Sequence, residues 1–168
     1  MCREEAQKYA KEKPRLDKLG IRMAAVVKED IGEEIKDFRE YWNSDIYLDG
    51  EKEFYKAVGG GKLVSHSTAS FLAKYANPWS TVNKNLKRSK ASGIAKFNLK
   101  GEGLITGGLF VVHKKTGKSA FAFSESEIGD HANMEKVMNA CKVVAEASEE
   151  DSCPVSAATP ADKEDGKL

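Results

Sequence analysis

The sequence predicts an α/β domain with a mixed β-sheet flanked by helices, and three observations carry that expectation. A charged helical opening gives way after Gly20 to an apolar, partly β-branched run over residues 21–27, the pattern of a strand in a parallel sheet. Two further apolar segments, 104–113 and 119–124, are joined by Lys114-Lys115-Thr116-Gly117-Lys118, a loop short enough to make them an antiparallel hairpin. An amphipathic helix marked by Met134, Val137, Met138, Cys141 and Val144 then closes the pattern.

Residues 3–19 are rich in Glu, Lys, Gln and Ala, and Ala6, Tyr9, Ala10, Leu16 and Leu19 give a thin apolar stripe at helical spacing. Pro14 predicts a kink or an early end, and Gly20 suits the left-handed position after a helix. The run 21–27 reads as a strand buried on both faces. Ile31, Ile35, Phe38 and Trp42 then fall three to four apart, so a helix covering the sheet is expected. A short strand over 46–48 ends at Asp49-Gly50, and Phe54, Tyr55 and Val58 predict a helical turn closed by Gly59-Gly60-Gly61.

Residues 65–90 are helical in pattern, with Ser65 or Ser67 as N-cap and Phe71, Leu72 and Tyr75 as the expected buried side. Pro78 splits this insertion, and Trp79, Val82 and Leu86 restart the spacing. Asp130 or Asn133 is placed to cap the last helix. One domain over 1–147 is expected, followed by a disordered tail over 148–168, where Ser, Ala, Pro and acids dominate.

A chain of 168 residues holds one core rather than two. Its 40% hydrophobic and 32% charged content is that of a soluble protein, and no stretch is apolar enough to span a bilayer. Residues 1–20 lack the apolar stretch of a secretory signal. Three cysteines, Cys2, Cys141 and Cys153, make a poor disulfide framework and suit a reducing compartment; a cytoplasmic location is expected. A net charge of +1 argues against a dedicated nucleic-acid binder. Residues 56–101 nonetheless hold nine Lys or Arg and no Asp or Glu, which reads as a solvated face before it reads as a site for anions.

Cys2 precedes the first helix, where unpaired backbone N–H groups and the helix dipole favour a thiolate, and Arg3 adds a cation. A thiolate is the form that attacks peroxides and disulfides; the competing reading is an incidental cysteine near a frayed end. Cys141 falls on the apolar face of the last helix and reads as core. Glu4 and Glu5 read as complements to the helix dipole. Other patterns fail on inspection. Gly101-Glu102-Gly103 leads into a strand, unlike a dinucleotide fingerprint, Gly59-Gly60-Gly61-Lys62 is followed by Leu63 where a phosphate loop needs Ser or Thr, and His66, His113 and His131 have no paired ligand spacing, so no metal is expected.

Ordered blocks carry a resemblance: Cys2-Arg3-Glu4-Glu5-Ala6, Lys13-Pro14-Arg15-Leu16-Asp17, Ala25-Val26-Val27-Lys28-Glu29 with Ile31-Gly32, and Ile46-Tyr47-Leu48-Asp49. Phe54-Tyr55, Gly101-Glu102-Gly103 and Gly107-Gly108-Leu109-Phe110-Val111-Val112 continue it, so that it runs from Cys2 to about residue 147. Together they resemble the peroxiredoxin-like 2 family, a thioredoxin-like group that includes redox-regulatory antioxidant proteins, selenoprotein U and prostamide/prostaglandin F synthase. The resemblance implies a thioredoxin-like domain that here lacks the first core strand and carries a helical insertion.

The resemblance also implies a C-x-x-C site, of which Cys2 matches the second cysteine. The first would fall before Met1, so truncation is the expectation, with backbone edges and core surface exposed on the two neighbouring strands. Cys2 is the expected catalytic residue, with Arg3, Thr106, Gly107 and Gly108 lining the substrate site; the glycines stand where thioredoxins place a cis-proline. Cys153 is a candidate resolving thiol. Expected substrates are a small-molecule peroxide, a lipid endoperoxide or a disulfide. No cofactor is expected to be bound, electrons coming from thioredoxin, glutathione or an NADPH-fed reductase. The alternative is a catalytically silent thioredoxin-like regulatory or interaction protein. Oligomeric state is open.

Overall fold

A computed structural model describes residues 2–93 and 101–150, with side chains from residue 3 and as far as residue 148. Helix α1 (Cys2–Lys18) is followed by β1 (Ala24–Val27), α2 (Glu34–Phe38), β2 (Asp45–Leu48) and α3 (Glu53–Val58). The insertion forms α4 (Thr68–Ala76) and α5 (Thr81–Ala91), and β3 (Gly108–Val112), β4 (Ser119–Ser124) and α6 (Met134–Glu150) complete the order.

Helix α1 continues through Pro14 instead of ending there. Its stripe of Ala6, Tyr9 and Leu16 is buried on both sides of the proline, and that packing outweighs the roughly 3 kcal/mol that an interior proline costs. The helix stops at Gly20, whose φ of 67° is left-handed. The Ile21 amide donates to the Leu16 carbonyl at 2.9 Å and the Gly20 amide to that of Asp17 at 3.0 Å, a pairing that satisfies carbonyls left open by the last turn.

The strands form two ladders. β1 and β2 run parallel, with Ala25 beside Ile46 and Val27 beside Leu48. β3 and β4 run antiparallel, with Leu109 beside Phe123 and Val111 beside Phe121. Both strand directions of a mixed sheet are present, but β1 and β3 are not paired with each other and flank a cleft. The expectation that β1 is buried on both faces fails for this reason, since its residues are half-buried or exposed. In β4, Phe121 and Phe123 alternate inward between exposed neighbours, as a strand with one wet face requires.

The core gathers α1, Trp42, β3 and the inner face of α6, with Val137, Met138, Cys141 and Val144 buried together. Cys141 is a core residue, and burial pushes its thiol pKa up. The Asn133 side chain accepts from the Lys136 amide at 3.0 Å and so caps α6. Ser67 and Ser80 cap α4 and α5 in the same way.

The insertion departs from expectation on one face. Leu72 and Tyr75 are more than half exposed and Trp79 is 81% exposed; the buried anchor is Val82, on α5. Helix α6 runs to Glu150, past the boundary that composition places at 147, and residues 151–168 lie outside the described residues.

Candidate functional site

Cys2 is the first residue of α1, and its backbone therefore stands in the N-terminal turn of a 17-residue helix, where free amides gather. Arg3 follows, buried at 8% exposure. Its guanidinium lies 3.9 Å from the Asp37 carboxylate and 5.7 Å from the centre of the Tyr41 ring, so α2 and the turn after it fix this cation in place.

A cleft of about 350 Å³ runs between β1 and β3 and opens at this end of α1. Arg3, Glu5, Gly107, Gly108 and Glu125 border it, while Val26, Phe38 and Phe110 are among its apolar walls. Three of the sequence-predicted site residues, Arg3, Gly107 and Gly108, are thus brought together from positions about a hundred apart in the chain. Thr106 does not line the cleft. It is buried, and both its amide, at 3.1 Å, and its hydroxyl, at 3.2 Å, donate to the Val64 carbonyl, which anchors the approach to Gly107. Cys153 and the side chain of Cys2 lie outside the described residues.

Gly108 has a steric reason for being glycine. A Cβ there would run into the Phe123 carbonyl oxygen and come within 2.6 Å of a Val58 methyl, so the tight approach of β3 to β4 and α3 excludes a side chain. Gly107 has room, and its amide instead donates to Glu125 Oε2 at 2.9 Å.

Two carboxyls share this cleft: Glu5, which the sequence reads as a complement to the helix dipole, and Glu125, which it does not single out. Glu5 is desolvated there and its pKa is pushed up to about 7; the charge of Glu125 adds to the rise, and the Ala132 amide and Lys8 oppose it. Glu125 is likewise raised by burial, against the hydrogen bond from Gly107, with Asp130 adding to the rise. Two partly buried acids facing each other favour the state in which at least one is protonated. The sequence signal was weak, because Glu125 lies in an ordinary Ser-Glu-Ser-Glu loop.

Glu4 points the other way, into a polar network beneath the site. It accepts from Lys8 Nζ at 2.8 Å and from Arg88 Nε at 2.9 Å. Arg88 also donates to the Gly129 carbonyl at 2.8 Å and to the Asn85 side chain at 2.9 Å. Burial works to raise the Glu4 pKa, but the Lys8 and Arg88 hydrogen bonds outweigh it and hold the carboxyl below its ordinary value. His131 stands 3.9 Å from Glu4; desolvation and the Arg88 charge push its pKa down to about 4, so at neutral pH its ring is uncharged.

Among the described residues, no group of three or more His, Cys, Asp or Glu side chains is arranged to hold a metal ion, and no helix is long and apolar enough to cross a membrane.

The chain matches the AhpC/TSA antioxidant enzyme family over residues 9–127. It is 36% identical over 144 residues to peroxiredoxin-like 2A of Homo sapiens, covering 86% of this chain and 58% of the human protein. It is 34% identical over 145 residues to peroxiredoxin-like 2A of Xenopus laevis, covering 86% and 59%, and 34% identical over 148 residues to that of Danio rerio, covering 86% and 63%. The chain therefore spans about three fifths of the length of these relatives. No solved structure matches it at a significant level.

Proposed function

This chain belongs to the thioredoxin-like AhpC/TSA antioxidant enzyme family, and on that footing we propose that it is a thiol-dependent oxidoreductase whose reacting atom is the sulfur of Cys2. The reading rests above all on one convergence. The N-terminal turn of α1, the fixed cation of Arg3 and the Gly107-Gly108 strand entry meet at one cleft. A helix N-terminus and a nearby guanidinium both favour thiolate over thiol, and a glycine entry lets a substrate approach without meeting a side chain.

In the proposed step, the thiolate attacks one oxygen of a hydroperoxide. The S–O bond forms as the O–O bond breaks, the sulfur becomes a sulfenic acid, and the departing oxygen takes a proton to become an alcohol or water. An external thiol condenses with the sulfenic acid, releasing water, and a second thiol frees Cys2 as the mixed disulfide exchanges. Thioredoxin, glutathione or an NADPH-fed reductase would supply those electrons.

The test is the pH profile of alkylation at Cys2, read on its own peptide by mass spectrometry, together with its rate with hydrogen peroxide. A thiol pKa below about 8.5 and oxidation faster than that of free cysteine are expected, both lost in Cys2→Ser. An ordinary pKa and an ordinary rate would instead support a catalytically silent regulatory protein. A Cys2–Cys153 crosslink after mild peroxide treatment is the signature of an internal resolving thiol, and a glutathione adduct without it indicates external resolution.

A further inference from the structure

We propose that the α4–α5 insertion is a docking surface for an anionic lipid bilayer, seating Leu72, Tyr75 and Trp79 among the headgroups while lysines of α5 meet the lipid charge. The proposal does not depend on the reaction at Cys2.

Both helices of the insertion rest on one segment. On α4, Lys74 Nζ donates to Glu127 Oε2 at 2.7 Å. On α5, the Asn85 side-chain amide donates to the Ile128 carbonyl at 3.2 Å, and Arg88 Nη2 to that of Gly129 at 2.8 Å. The inner sides of the two helices therefore meet residues 127–129, and their outer sides face away from the body of the domain together. On α4 the outer side carries Leu72 and Tyr75, one turn apart and both exposed. On α5 it carries Lys84 and Lys87, opposite the buried Val82 and Ser89.

Trp79 extends the apolar stripe from the turn between the helices, and that turn is fixed. The Trp79 amide donates to Asn77 Oδ1 at 3.0 Å. The Asn83 side-chain amide donates to the Asn77 carbonyl at 2.7 Å, and the Ser80 hydroxyl to the Lys74 carbonyl at 2.5 Å. A backbone ordered in advance thus presents the most exposed large apolar side chain among the described residues. Such preorganisation lowers the entropy cost of docking. Trp, Tyr and Leu on one outer surface are the groups that a bilayer interface takes up.

Charge selects the occupant. Residues 56–101 hold nine Lys or Arg and no Asp or Glu. Lys74 and Arg88 are engaged inward with Glu127 and Glu4, but no ion pair joins Lys84, Lys87 or Lys90 to another described residue. Neither α4 nor α5 has an acid in its first turn, so the positive ends of both helix dipoles stay uncompensated. A second copy of the same face would set lysine against lysine. An anionic leaflet attracts them instead, by about fivefold in affinity for each lysine at the surface.

The full chain is titrated with vesicles of phosphatidylcholine alone and with vesicles containing about 30% phosphatidylserine. Of the two tryptophans Trp42 is buried, so a change in exposed emission reports Trp79. With phosphatidylserine the emission should shift to the blue and lose its quenching by acrylamide. The affinity should be about tenfold or more above that for phosphatidylcholine alone, and high salt should weaken it. Trp79→Ser, read by co-sedimentation, should lose about tenfold in binding. The double variant Lys84→Gln/Lys87→Gln should lose about tenfold or more with phosphatidylserine and little with phosphatidylcholine. All three side chains are exposed, so the urea midpoints should match the native one and a loss of binding is not a loss of fold.

A native chain that ignores phosphatidylserine vesicles, binds both vesicles equally, or binds as well after Trp79→Ser overturns the proposal. Concentration-dependent self-association that shields Trp79 without vesicles overturns it in favour of a second copy. A polyglutamate peptide that produces the same blue shift overturns it in favour of an acidic protein partner.

Discussion

The carboxylate of Glu4 is 1% exposed yet carries a charge. Its position depends on Lys8 one turn away and on Arg88 from 84 residues further along the chain. A buried carboxylate stripped of a partner loses several kcal/mol, because the charge keeps its desolvation cost without compensation. Arg88 contributes more than charge, since it also donates to the Gly129 carbonyl and the Asn85 side chain. Arg88→Met should therefore lower stability by about 2–4 kcal/mol, read as a shift in the urea midpoint. A loss under about 0.5 kcal/mol would mean that Lys8 alone satisfies Glu4. Read by sequence alone, Glu4 and Glu5 are indistinguishable dipole complements; the partners that separate them come from α5 and from the connection between β4 and α6.

At the scale of the element, the β3–β4 hairpin and its entry show how local pattern and packing divide the work. Alternation in the Ser-Ala-Phe-Ala-Phe-Ser run and the five-residue loop are enough to predict the pairing. The two glycines at the entry look equivalent in sequence but not in space. Gly108→Ala should cost about 1–3 kcal/mol, because its Cβ meets the Phe123 carbonyl and Val58. Gly107→Ala should stay within about 0.5 kcal/mol, its nearest neighbour being Glu125 Oε2 at 3.8 Å. Equal losses in thermal or urea unfolding would contradict this account. The insertion teaches the same lesson in reverse. Helical spacing places Phe71, Leu72 and Tyr75 on one face, but periodicity says only that a face is apolar and not that anything covers it.

Across the whole molecule, two titrations oppose each other. Glu5 binds its proton more tightly folded than unfolded, so its contribution is fully present below about pH 4.5 and is lost as pH rises through about 7; Glu125 acts in the same direction. His131 has its pKa lowered to about 4, so its contribution is present above about pH 6.5 and is lost as pH falls toward 4. Between about pH 4.5 and 6.5 the rise that His131 contributes opposes the falls from Glu5 and Glu125. Glu5→Gln should make the urea midpoint fall less, or rise more, with pH across that window than in the native protein, and His131→Gln should make it fall more steeply. If the His131→Gln profile matches the native one, the burial of that ring is not what sets its protonation. Within the basic stretch over 56–101, Lys56 pairs with Glu53, Lys74 with Glu127 and Arg88 with Glu4.

Legible in the sequence are the order of elements, the left-handed stop at Gly20 and the core role of Cys141, with the caps of α4 and α6 narrowed to Ser65 or Ser67 and to Asp130 or Asn133, while the Ser80 cap of α5 is not singled out. These follow from interactions within a few residues, where spacing and residue type are sufficient. It also singled out Arg3, Gly107 and Gly108. Packing alone shows that β1 and β3 face each other across a cleft, that Thr106 turns inward to Val64, and that Glu5 and Glu125 share one poorly solvated space. The physical reason is common to all three. Desolvation and charge proximity belong to surfaces that meet only after the chain has folded, and no local pattern records which distant side chain will stand opposite.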